Sequence, residues 1–160
     1  MDIYIGNDHG GYVLKTKIIA RLKELGVEYT DVGCDSEEIV RYPYYASKVA
    51  AAVSQGVCKR GILICSTGIG VSIIANKYPG VRAALCHSTY EAKMTRQHND
   101  SNILCLGGKT LGEYEAMDIL QTWLAEGYIG GRHDISLGLI RDAEHVNMSG
   151  QLWQPEKFEL

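Results

Sequence analysis

Residues 63–72 read LICSTGIGVS, an apolar run that ends in a cysteine and breaks at once into Ser-Thr-Gly-Ile-Gly. The apolar residues before Cys65 read as the end of a central strand. Two glycines spaced by one residue read as a turn that lets backbone N–H groups face a ligand. A cysteine at a strand end is more often a small hydrophobe than a reagent, and the other four, at 34, 58, 86 and 105, are read that way. Cys65 differs by position, because it stands above a glycine turn that leads into a helix N-terminus, where the dipole and free N–H groups favour a thiolate. Three further segments carry polar groups suited to chemistry. Asp8 and His9 lie in GNDHGG at 6–11, and as bland alternatives they are a turn residue and a helix-cap partner. His98 and Asn99 precede Asp100, where a simple helix stop is the competing reading. Arg132 and His133 follow two glycines, a pattern that suits an anion or, equally, a solvated helix start.

Elements that alternate between strand and helix must position these residues. Ile3-Tyr4-Ile5 predicts a strand, and Leu14, Ile18, Leu22 and Leu25, at spacings of four, four and three, predict a helix stopped by Gly26. A second strand is expected near Glu28 to Val32, followed by a helix with Ala46, Val49, Ala50 and Val53 on one face. Strands three, four and five are expected at Gly61 to Cys65, Val81 to Cys86 and Asn102 to Leu106. Ser88-Thr89-Tyr90-Glu91 is a capping-box pattern. Later helices run from about Gly112 to Glu126 and from about Asp134 to His145. Strict alternation implies an α/β fold, a three-layer αβα Rossmann-like five-stranded parallel sheet, in the flavodoxin-like order 2-1-3-4-5. The ligand crevice of such a sheet lies beyond the carboxyl ends of strands 1 and 3, which brings Asp8, His9, Cys65, Ser66 and Thr67 together. His98 leads into strand 5, so it reaches that crevice only if its helix tilts or a neighbouring chain supplies it.

Composition narrows the classes. With 46% of its 160 residues apolar, the chain is long enough to bury a core without disulfide or metal. The expected organisation is a single domain over 1–148 and a tail over 149–160, in which Pro155, Trp153 and Phe158 pack on something. No stretch reads as a signal peptide or membrane span. Five cysteines without a CxxC pair fit a reducing compartment, so a cytoplasmic location is expected. A net charge of −3 without a basic block disfavours nucleic acid. The glycine loops match neither the Walker pattern nor the GxGxxG fingerprint, which weakens nucleotide binding.

GNDHGG, RYPYYA at 41–46, CSTGIGVSIIANKYPGVRAAL at 65–85, RQHNDSNIL at 96–104 and GGRH at 130–133 together resemble the family of type B ribose-5-phosphate isomerase and the galactose-6-phosphate isomerase subunits. The resemblance runs in order over about the first 145 residues. It implies an aldose–ketose isomerase that works on a sugar phosphate through an enediol(ate). It implies Cys65 as the base between C1 and C2. The turn Ser66, Thr67, Gly68, Ile69 and Gly70 then offers backbone amides to the oxyanion, and Thr67 adds a hydroxyl. His98 is implied as the ring-opening group, Asn99 and Asp8 as holders of sugar hydroxyls, and Tyr42 as an aromatic wall. His9 and Arg132 are implied as phosphate ligands, with His133 beside Arg132 in the GGRH segment and Lys109 where the family carries an arginine. No metal or organic cofactor is implied. Sites in the family are shared between subunits of a homodimer or tetramer, with the GGRH and His98 segments contributed by the neighbour.

The chain also departs from the pattern. Ser136 replaces a second arginine, Lys109 replaces an arginine, Arg41 replaces the aspartate before Tyr42-Pro43, and Ser66 replaces a glycine. Lysine lacks the bidentate fork of arginine, so the phosphate clamp is thinned. Arg41 either restores part of that charge or is a surface residue paired with Asp35 or Glu37. Ribose 5-phosphate is the expected substrate. Another tetrose, pentose or hexose phosphate such as allose or galactose 6-phosphate is the alternative, and a non-catalytic subunit of a hetero-oligomer or a redox-sensing thiol protein are the readings outside the class.

Overall fold

The apolar runs become five strands, β1 (Ile3–Asn7), β2 (Tyr29–Asp31), β3 (Arg60–Cys65), β4 (Ala83–Leu85) and β5 (Ile103–Gly107). In the computed structural model, which describes residues 3–154, they pair as one all-parallel sheet. Five helices surround it: α1 (Tyr12–Glu24), α2 (Tyr42–Ser54), α3 (Ile69–Ala75), α4 (Thr89–Asn99) and α5 (Glu113–Ala125). β3 and β5 are runs of Ile, Leu and Cys buried on both faces, as a parallel sheet covered on both sides requires.

Strand alternation sorts the core into two layers. Ile5, Ile62, Ile64, Leu104 and Leu106 pack with Leu14, Ile18 and Leu22 of α1 and with Ile119, Leu120 and Trp123 of α5. Leu63, Cys65, Ile103 and Cys105 pack on the opposite face with Val49, Ala50 and Val53 of α2 and with Val71 and Ala75 of α3. Cys65 thus belongs to the α2–α3 face. Each fully buried Leu or Ile contributes about 1.5–3 kcal/mol of transfer free energy, so both layers hold the sheet firmly.

The strand order is β2-β1-β3-β5-β4, so the last two strands exchange places relative to the expected flavodoxin-like order. The reason lies in the strands themselves. β5 has five residues, all buried, whereas β4 has three, all half-buried. The longer apolar strand takes the inner place beside β3, and the short one suits an edge. The step from β4 to β5 therefore runs back toward the centre, and a right-handed crossover carries α4 to the face of α1 and α5. Ala92 of α4 is accordingly buried in their core. The reversal between β1 and β3, which makes the crevice, is unaffected.

Element ends follow local chemistry. Leu25 extends the predicted stripe, but α1 stops at Glu24, leaving Leu25 as the C-cap and 43% exposed. The capping box forms as expected: Ser88 accepts from the Glu91 N–H and the Glu91 carboxylate accepts from the Ser88 N–H. Two compact units divide the chain, Met1–Tyr128 and Ile129–Leu160. The second contains α6 (His133–Met148), none of whose residues is buried. Within the expected tail, Pro155 and Phe158 lie outside the described residues. No helix among the described residues is long and apolar enough to cross a membrane.

Candidate active site

The carboxyl edge of the sheet brings three loops side by side. Cys65 lies opposite Gly107 of β5, and Ile64 opposite Asn7 of β1. β3 and β5 leave the sheet through small residues, Ser66 and Gly108, and the loops lock by backbone contact. The Gly108 N–H donates to Cys65 O at 2.8 Å, and the Lys109 N–H donates to Ser66 O at 3.0 Å. A Cβ at Gly108 would lie 2.6 Å from Gly10 O, closer than any side chain tolerates, so glycine is required for the β1 and β5 loops to touch.

Cys65 is 5% exposed, and its Sγ accepts a hydrogen bond from the Gly68 N–H at 3.1 Å. Gly68 holds φ at +77°, the left-handed conformation that turns its amide back toward the sulfur and starts α3. Thr67 is exposed, and its Oγ1 accepts from the Ile69 N–H at 3.3 Å. Ser66 is half-buried against the Gly10 backbone. The turn therefore offers a sulfur held by one amide, a hydroxyl and backbone donors to whatever lies above it.

Asp8 and His9 take the positions expected of them and also perform the blander roles. Asp8 is 5% exposed and caps a 3-10 turn, His9–Gly11, through Oδ1, which accepts from the Gly10 N–H at 2.9 Å and the Gly11 N–H at 3.2 Å. Behind it, buried Asn7 donates from Nδ2 to Asp8 O at 2.8 Å and to Cys34 Sγ at 3.2 Å. His9 Nδ1 accepts from the Val40 N–H at 3.3 Å, which places the proton of the neutral ring on Nε2. Tyr42 opens α2 and lays its ring on Gly70, where a Cβ would meet Cζ at 2.8 Å. The aromatic wall thus touches the Cys65 loop.

The remaining cysteines are set apart by environment. Burial pushes the Cys86 thiol up to about 12, with the Glu91 charge adding to it. Cys105, wholly buried, is held well above the ordinary thiol range by the same desolvation. Burial also raises Cys34, against an opposing pull from a backbone hydrogen bond at Ser36 and the Lys15 charge. None of these sits at the mouth of the three loops.

Within one chain the site lacks His98 and Asn99. These residues end α4, and the turn after them is tied to the amino edge of the sheet: Arg82 Nε donates to Asn99 O at 2.9 Å, and the Gly61 N–H donates to Asn102 O at 2.8 Å. Gly61 lies near the start of β3 and Cys65 at its end, about 13 Å apart at roughly 3.3 Å per residue. Arg132 and His133 belong to the second unit, Arg132 as the N-cap of α6 and His133 as its first residue. Asp8, His9, Tyr42, the Ser66–Gly70 turn and Lys109 are therefore assembled around Cys65 by this chain. Sequence reasoning missed Gly107 and Gly108, although a doubled glycine at a strand's carboxyl end was a readable signal. It also missed Asn7 and Val40, whose contacts depend on tertiary placement and left no local trace.

Known proteins bear on this geometry. Residues 3–140 match the ribose/galactose isomerase family. The ribose-5-phosphate isomerase B of Escherichia coli is 50% identical over 131 residues, covering 82% of this chain and 88% of that protein. The D-erythrulose-4-phosphate isomerase of Pectobacterium atrosepticum is 39% identical over 132 residues, covering 82% and 87%. The structure of ribose-5-phosphate isomerase B from Clostridium thermocellum superposes with a TM-score of 0.89 at 51% identity, covering 91% of this chain and 98% of that one. A carboxyl-edge cysteine between glycine loops and a family match across most of the chain lead to one conclusion: this chain belongs to the ribose/galactose isomerase family and is an aldose–ketose isomerase.

Proposed function

We propose that the chain interconverts ribose 5-phosphate and ribulose 5-phosphate in the cytoplasm, as a homodimer or a tetramer with sites shared between subunits. The observation that carries this reading is Cys65, held by the Gly68 amide at the meeting point of three loops. Cys65 takes the proton from the carbon beside the substrate carbonyl, and the resulting enediolate oxygen faces amides of the Ser66–Gly70 turn and the Thr67 hydroxyl. The same sulfur returns the proton to the adjacent carbon while the hydroxyl proton passes between the two enediolate oxygens, so no net proton or electron is gained. Asp8 and Asn99 hold sugar hydroxyls, Tyr42 walls the site, and His98 opens the ring. His9, Lys109, Arg132 and His133 serve the phosphate end.

The shared-site reading is supported by His98, which one chain holds at the edge of the sheet opposite Cys65. Five cysteines without a disulfide suit a reducing compartment. Residues 1–148 act as one isomerase domain, a reading supported by a family match that runs to residue 140, and 149–160 act as a tail. A panel of sugar phosphates tests the substrate. Ribose 5-phosphate is expected to give the highest kcat/KM among ribose 5-phosphate, erythrulose 4-phosphate, and allose and galactose 6-phosphates. A higher value on a tetrose or hexose phosphate would overturn ribose 5-phosphate and leave the isomerase intact.

A further inference from the structure

Arg41 is an exposed cation whose side chain, among the described residues, makes no ion pair and no hydrogen bond. Asp35, Glu37 and Glu38 all lie within six residues of it, and none of them pairs with it. Its backbone is not free to wander. The residue before it, Val40, donates its N–H to His9 Nδ1 at 3.3 Å, and the residue after it, Tyr42, rests its ring on Gly70. Arg41 is thus suspended between an attachment to the β1 loop and an attachment to the Cys65 loop. Lys109 stands on the β5 side, with its N–H bonded to Ser66 O at 3.0 Å. The connections on either side of the Cys65 loop each bring one exposed cation to the same edge of the sheet.

We infer that Arg41 is a phosphate-binding residue of this site. The inference rests on the sugar-phosphate reading above and names a ligand-binding group in addition to those already assigned. A guanidinium offers planar paired donors that match phosphate oxygens, and a dianionic group on the substrate is the partner that its own loop withholds. Because Arg41 is exposed and unbonded before substrate arrives, binding breaks no internal contact. Water screens an exposed contact, so the effect falls below that of a buried charge-assisted bond.

The test uses two readouts on Arg41→Ala, Arg41→Gln and Arg41→Lys. One is binding of inorganic phosphate, followed by calorimetry at fixed ionic strength with chloride as the control. The other is steady-state isomerisation of ribose 5-phosphate. Loss of Arg41 is expected to weaken phosphate binding and to raise KM by roughly 5- to 50-fold, with Arg41→Lys in between. Phosphate affinity unchanged in Arg41→Ala, or no measurable phosphate binding by the wild type, would overturn the inference. If phosphate binding weakens in Arg41→Ala while the wild type isomerises no sugar phosphate, the anion site stands and the proposed function fails instead.

Discussion

At the scale of single residues, environment separates one thiol from the others. Cys86 keeps its proton to about 12 when folded, against about 9 for an ordinary thiol, because burial penalises the thiolate. Above pH 9 the unfolded chain sheds a proton that the folded chain retains. The stabilisation is therefore complete below pH 9 and is lost as the pH rises toward 12, at about 1.4 kcal/mol per pH unit. Unfolding free energy measured between pH 9 and 11 is expected to fall more steeply in the wild type than in Cys86→Ala, although the variant is weaker at neutral pH. Equal slopes would contradict this. The position of Cys65 at the end of a strand was readable from its place before a glycine turn. The donor to its sulfur was not, because a left-handed Gly68 and its amide direction appear only once the loop is folded.

Among the elements, the end of α4 is held by two ion pairs to one carboxylate. Asp100 takes φ +45°, the only non-glycine residue with positive φ among the described residues. Its carboxylate accepts from Arg82 at 3.0 Å and from Arg96 at 2.9 Å. Arg96 is itself buried, with its guanidinium 5.7 Å from the centroid of the Trp123 ring. Asp100→Ala removes both ion pairs, leaves the buried Arg96 charge poorly matched, and puts alanine in a left-handed position. It is expected to cost about 2–4 kcal/mol. Asp100→Asn keeps a residue that tolerates this conformation and is expected to cost clearly less. Urea midpoints check the order, and equal losses would show that backbone strain plays no part. The elements themselves were legible, because apolar periodicity marks where a strand or helix lies. Their neighbours were less so. Periodicity says nothing about which strand pairs with β3, and the greater burial of β5 over β4 decided that order through packing. The readable capping box at Ser88, whose signal is wholly local, formed as written.

At the scale of the whole molecule, the topology that builds the Cys65 edge also removes His98 from it. A parallel strand and the helix returning to it run in opposite directions, so α4 must end at the amino edge of the sheet. On the proposed shared-site reading, a second copy brings the His98 segment to a Cys65 site, and a two-fold pair forms two such sites. The resemblance of the sequence implies this sharing, and the placement of His98 at the end of α4 agrees with it. Subunit mixing tests the account most directly, since it asks at once whether Cys65 and His98 serve isomerisation and whether they meet across an interface. Cys65→Ala alone is expected to be inactive on ribose 5-phosphate and His98→Asn alone strongly impaired. Unfolded together and refolded at equal amounts, they are expected to recover about a quarter of wild-type activity, because half the dimers are mixed and each mixed dimer holds one intact site. Wild-type turnover by Cys65→Ala, or a mixture no more active than the average of its two components, would contradict the account.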